Sequence, residues 1–391
     1  MSRSMSVSVV LTALLVAAPS AQAQDDGFVS LFDGRTLDGW VNINCAPDTF
    51  GVRDGVITVT GVPICEIRTP RMYENFVLEL EYQHQKPMGN AGVFVWADAL
   101  PARGQPFLRA IEVQVLDGRN SETYTSHGDV FAIHGAVLTP DRPHPNGSMR
   151  SLPSERRAKG PGEWNHYRIT ANKGTIKLAV NGKEVSGGYD ISPRKGYIAL
   201  ESEGAPTLFR NIRIKELPSA GALDPSQVAT AYEGHTALYD GVSFTGWQPP
   251  RDEASRWRTN DWTMAYESTT AAPGKPLTSV GTWGDVEIIA DWRWVDEQEP
   301  AATQSTPAVA ARMLPGVRAV VMPQAGAAMQ AAGKWNRVVQ RIVGDRLTVS
   351  VNGQVVSDAV LQEGLPARGR IALVPAGRKV EFANILVKPL P

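Results

Sequence analysis

A ten-residue motif occurs twice in this chain, and that recurrence limits the fold more than any other feature. LFDGRTLDGW runs from Leu31 to Trp40, and LYDGVSFTGW from Leu238 to Trp247. GEWN at Gly162 returns as GKWN at Gly333, and Val180-Asn181-Gly182 as Val351-Asn352-Gly353. GYIALESEGAPTLFRNI from Gly196 aligns with GRIALVPAGRKVEFANI from Gly369. Two copies of one unit therefore stand in tandem. The second is shorter, and what it lacks falls between its opening motif and its GKWN. The units expected are residues 24–217 and 236–391, joined by a linker over 218–235. Within that linker Asp224-Pro225, a capping residue before a proline, is expected to start a short helix through Tyr232.

The period within each copy is mostly two. Phe76 to Tyr82, Thr175 to Val180 and Arg210 to Lys215 alternate apolar and polar residues, as half-buried strands do. Asn-Gly at 181–182 and 352–353 marks hairpin turns that need positive φ. The 36 glycines and 28 prolines are spread as punctuation between short strands. The fold expected is all-β, two sandwiches in tandem, the second lacking part of the strand set that holds the site. With 39 Lys and Arg against 40 Asp and Glu, the chain offers no basic excess for nucleic acid.

Residues 1–23 read as a signal peptide: Arg3, an apolar run from Val7 to Ala18, then Ala21-Gln22-Ala23 as a small-x-small cleavage site. The run is too short to cross a bilayer core of about 30 Å, and no later segment is a transmembrane anchor. A secreted or periplasmic protein follows. In an oxidising compartment its two cysteines, Cys45 and Cys65, are expected to form one structural disulfide. A catalytic thiol or a metal site would need further ligands, and no His lies between them.

The polar residues of Ile111-Glu112-Val113-Gln114-Val115-Leu116-Asp117 stand out. If Ile111, Val113 and Val115 face a core, Glu112 and Gln114 project together from the opposite face, about 7 Å apart. Such a pair suits sugar recognition or acid/base chemistry, and equally an ordinary solvated sheet face. Ile198 and Leu200 leave Glu201 outward by the same alternation, with Glu203 at the turn before Gly204. The second copy supplies a control: its equivalent stretch, Leu373-Val374-Pro375-Ala376, carries neither carboxylate. Function is therefore expected in the first copy, with a structural or platform role for the second. His127 and Asp129 are expected to close one end of an exposed groove, and Trp96 to line its wall as a stacking surface. A divalent cation, if one binds, would take Glu112, Asp129 and His127 as ligands. Trp40 and Trp164 recur as Trp247 and Trp335, which reads as core.

Taken as a set, LFDGRTLDGW, GNAGVFVWAD at Gly89, IEVQVLD at Ile111, GEWNHYRI, VNGKEV and GYIALESEG followed by FRNIRIKEL resemble the 3-keto-disaccharide hydrolase family. The resemblance spans residues 28–217, with 236–390 similar to a degenerate member. It implies a concanavalin A-like jelly roll and cleavage of glycosides oxidised at C3 of the sugar. A ketone there acidifies the C2 proton; abstraction, expulsion of the C1 substituent and addition of water give net hydrolysis. Glu112, Glu201 and His127 are the implied catalytic groups, with Gln114, Trp96, Asp129, Arg210 and Glu203 around the substrate. Many members carry Gln and His where this chain has Glu201 and Glu203; if that His is the base elsewhere, a carboxylate has to replace it here. The reading from another class is a non-catalytic, lectin-like pair of carbohydrate-binding modules.

Overall fold

The computed structural model describes residues 26–117, 127–219, 221–252, 256–268, 274–297, 306–313, 328–361 and 366–391. The expected signal peptide lies outside them. No helix among the described residues is long and apolar enough to cross a membrane.

The recurrent motifs turn out to be the devices that fix the same turns twice. Asp33 Oδ1 accepts from the N–H groups of Arg35 and Thr36 at 2.7 and 2.8 Å. Asp240 Oδ1 does the same for Val242 and Ser243 at 3.0 and 2.8 Å. Each motif's tryptophan then closes on its first residue, Trp40 Nε1 donating to Leu31 O and Trp247 Nε1 to Leu238 O. The asparagines of the other two motifs meet: Asn181 donates to Asn165 at 3.0 Å, and Asn352 to Asn336 at 2.9 Å. Asn181 and Asn352 have φ of 48° and 51°, as their hairpin turns require.

Each copy is a jelly-roll sandwich of two antiparallel sheets. In the first, a nine-stranded sheet centred on Phe76–His84 packs against a seven-stranded one. The latter runs Arg150–Ser151, Val130–Ile133, Ala110–Leu116, Asn90–Ala97, Tyr197–Ser202, Cys65–Arg68, Val41–Ile43. Between them lies an apolar core that includes Leu78, Leu80, Val93, Ile111, Val113, Ile198 and Leu200, all without exposed surface. The second copy repeats this with sheets of eight and four strands. Among the described residues its smaller sheet has no counterpart of Ala110–Leu116, Val130–Ile133 or Arg150–Ser151, the strands carrying the acidic motif.

Cys45 and Cys65 are disulfide-bonded. The helix expected from Asp224 to Tyr232 is a single 3-10 turn, Pro225–Gln227, with Asp224 capping Ser226 N. The chain then leaves it to pair with the first copy: Ala229 donates to Lys195 O at 2.7 Å and Ala99 to Thr230 O at 3.0 Å. Those backbone bonds satisfy donors and acceptors that a longer helix would have used internally.

Candidate active site

The outward face of the seven-stranded sheet carries the acidic residues, as alternation requires. Register builds the site in rows. Glu201 faces Glu66 across one strand pair, Gly92 faces Gln114 and Phe94 faces Glu112 across another, and Val93 faces Leu200 between them. Glu201 and Glu112 thus reach toward each other over Gly92. A Cβ at Gly92 would lie 2.8 Å from Glu201 Oε2 and 3.1 Å from Glu112 Oε1. Glycine is required here because two carboxyl groups occupy the space of its side chain.

These groups are buried, which corrects the expectation of an exposed groove. Glu112 is 7% exposed, Gln114 6%, Glu201 1% and Glu66 fully buried. They are not in the sandwich core. A second apolar layer covers the sheet from outside, formed by Phe94, Leu100, Leu108, Ala199 and, from the second copy, Ile289 and Leu386. Alternation fixes which face a side chain takes, but not what covers that face.

Burial sets the electrostatics. Glu66, Glu112 and Glu201 are each held well above the usual carboxylate range, first by desolvation; the charge of Glu112 adds to the rise of Glu66 and Glu201, and those of Glu203 and Asp129 to the rise of Glu112. Glu66 Oε1 accepts from Leu108 N at 3.2 Å. The other oxygen of Glu66, and Glu201 Oε2, are buried with no protein partner among the described residues. Glu112 feels the Arg150 guanidinium, which opposes its rise. Arg150 itself lies over the Phe131 ring at 3.7 Å and donates to Asp129 Oδ2 at 2.8 Å. Asp129 is nonetheless pushed up to about 7 by desolvation, and its Oδ1 has no hydrogen-bond partner among the described residues.

Gln114 is anchored rather than free. Its Nε2 donates to Asn90 Oδ1 at 2.8 Å, and Asn90 Nδ2 donates to Glu203. Asn90 and Glu203 are only partly buried, so this end of the site is the one nearest solvent. Glu203 too is raised, by its burial above all. His127 is buried, and its Nδ1 accepts from Ala158 N at 3.2 Å. Among the described residues no three His, Cys, Asp or Glu form a metal-binding group, and Asp129 is committed to Arg150. The Glu112, Asp129 and His127 ligand set is therefore not assembled.

Two expected residues lie elsewhere. Trp96 is fully buried between the sheets, its Nε1 donating to Glu74 O at 2.7 Å. An extra residue in its strand shifts the register against Tyr197–Ser202, and Trp96 takes φ of 53°. The bulge puts Trp96 on the same side as Val95 and so inside the core. Arg210 belongs to the other sheet. It pairs with Glu81 at 2.7 Å and lies 3.8 Å over the Trp164 ring, which makes Trp164 a half-buried platform rather than core.

Glu66 and Gly92 were missed in the sequence. Cys65-Glu66-Ile67 alternates, but over four residues its period is lost among turns. Gly92 inside an apolar strand was the better signal, since such a glycine marks a close approach. The second copy confirms what is specific. Val374, in Glu201's place, faces Ala308, which stands where Gly92 does.

Fold and site together define a tandem jelly-roll protein with a buried cluster of carboxyl groups on one sheet of its first copy. The model of the family described as 3-keto-alpha-glucoside-1,2-lyase-like domain matches residues 27–215 and 304–388, and the chain belongs to that family. A 3-keto-disaccharide hydrolase of Bacteroides thetaiotaomicron is 26% identical over 245 residues, 49% of this chain and 79% of its own length. A Parabacteroides distasonis protein described as a glycosyl hydrolase is 20% identical, over 49% of this chain and 94% of its own, with a TM-score of 0.39. A Bacillus licheniformis beta-glucanase is 14% identical over 50% of this chain and 100% of its own, with a TM-score of 0.34.

Proposed function

We propose that the first copy cleaves glycosides of 3-keto sugars by elimination across C1 and C2 followed by hydration. The observation that carries this reading is the pair Glu112 and Glu201, buried and converging over Gly92. Removing a proton next to a ketone needs a base on one side and a donor for the developing enolate on the other. Two carboxyls whose environments differ supply both. Glu112, nearer the Arg150 charge, ionises first and takes the C2 proton. Glu201, raised by burial and by the charges of Glu112, Glu203 and Glu66, stays neutral and donates to the C3 oxygen. The electrons of the C2–H bond form the C1–C2 double bond, the C1–O bond breaks, and the aglycone leaves with the proton that Glu112 took from C2. Water then adds across the double bond, its hydroxyl to C1 and its proton to C2. Gln114, Asn90 and Glu203, on the solvent side, hold the sugar hydroxyls.

A lectin-like role fits this face less well. Sugar-binding surfaces are open and their polar groups solvated or paired, whereas these carboxyls are buried. We further propose that the protein acts outside the cytoplasm, a reading supported by the signal-peptide-like pattern of residues 1–23 and by the disulfide. The test is incubation with a 3-keto-glucoside, with and without a chelator. Aglycone release under both conditions supports the reading; release under neither moves the function to binding.

A further inference from the structure

Segment 98–108 of the first copy runs from Glu66 at its inner end to the second copy at its outer end. At the inner end Leu108 N donates to Glu66 Oε1 at 3.2 Å, and Phe107 packs near Phe94 with ring centroids 6.4 Å apart. Arg68, on the same strand as Glu66, donates to Ala99 O at 3.0 Å. The outer end meets a polar triad of the second copy: Asp291, fully buried, is gripped by both Arg337 Nε and Nη2 and by Asn384 Nδ2. That triad receives the segment's backbone. Gly104 N donates to Asp291 Oδ2 at 2.8 Å, Arg337 donates to Pro101 O at 2.8 Å, and Asn384 to Gln105 O at 3.0 Å. Gly104 rests on the Trp335 ring so closely that a Cβ would lie 2.0 Å from Trp335 Cγ.

The equivalent face of the first copy is built differently. There Arg210, paired in register with Glu81, stacks on Trp164. In the second copy Ala383 is the residue paired with Asp291. A small residue therefore replaces the arginine, and the room beside Trp335 is filled by Gly104. The second copy has lost the acidic site and gained a socket for a turn of the first.

We propose that the second copy is a clamp, and that Asp291, Asn384 and Trp335 are positioning residues that hold segment 98–108 down on Glu66 and so keep the carboxylate site closed and dry. The clamp is read from contacts alone. Its consequence for turnover rests on the function proposed above.

Gly104→Ala tests it without touching either core, since the new methyl must push the turn off Trp335. Hydrogen exchange of the full-length native protein and the variant is the first readout. The amides of Gly104, Gln105, Phe107 and Leu108 are expected to exchange at least tenfold faster in the variant, while Val113 and Val349 keep their protection. Carbodiimide labelling of Glu66, absent in the native protein, should appear. Trp335→Ala, which removes the ring under the turn and adds no methyl, should raise the exchange of the same amides. Unchanged exchange in either Gly104→Ala or Trp335→Ala overturns the clamp. On a 3-keto-glucoside each variant should lose at least tenfold in kcat. Equal turnover by native and Gly104→Ala proteins would contradict the positioning role, whereas no turnover by the native protein strikes the functional reading alone.

Discussion

Glu112 and Glu201 come from strands that are not neighbours, and they meet because Gly92, on the strand between, has no side chain to separate them. Their oxygens lie 3.1 and 2.8 Å from where its Cβ would be. The pair is thus defined by an absence on the intervening strand, and the second copy, with Ala308 there and Val374 beside it, lacks both halves of the arrangement.

Gly92→Ala follows directly. The methyl must displace both carboxyls, and Phe94 Cε1 lies 2.8 Å away as well. Overpacking of this kind costs about 1–3 kcal/mol, which chemical denaturation would read as a lower midpoint. Displacing reacting groups by an ångström is worth roughly a hundredfold, so kcat/KM should fall by that much in a protein that still folds.

Stability should depend on pH in a direction set by Glu201. In the unfolded chain a glutamate titrates near about 4.3, and in the folded protein burial holds it well above the usual range. Between those values the folded state keeps a proton that the unfolded state releases, so stability falls as pH rises through the window. Glu201→Gln keeps the shape and cannot ionise. It should melt roughly 3 °C higher than the native protein at pH 8, with the difference vanishing toward pH 4. A variant that melts lower at pH 8 would show that the charge is compensated.

Arg150→Met removes the cation that opposes the rise of Glu112 and Asp129. A base must lose its proton before it can act, so the acidic limb of the pH–rate profile should move to higher pH. An unmoved limb would exclude Glu112 as the base.

The disulfide closes a loop of 20 residues. By the loop-entropy model, replacing Cys45 and Cys65 by serine should cost roughly 3 kcal/mol, measured by denaturant titration. Because Cys65 precedes Glu66, the same variant is expected to cleave more slowly.

The sequence shows the tandem organisation and the strand faces because both rest on local pattern: repeated turn motifs, and alternation that puts Glu112, Gln114 and Glu201 opposite the core. It misleads at Trp96, where one extra residue in the strand reverses parity. It also misleads at Arg210, whose neighbours in the motif belong to a different sheet from the acidic strand. Burial of this face is invisible to any local pattern, since Leu100 and Leu108 of a distant loop and Ile289 and Leu386 of the other copy pack on it. Glu66 is hidden for the same reason, being placed only by cross-strand register.

The most direct test measures aglycone release from a 3-keto-glucoside by the native protein, Glu112→Gln and Glu201→Gln. The account predicts release by the native protein and losses of at least a hundredfold in both variants, each with unchanged circular dichroism. Turnover that survives either substitution would contradict the assignment of the site to this pair.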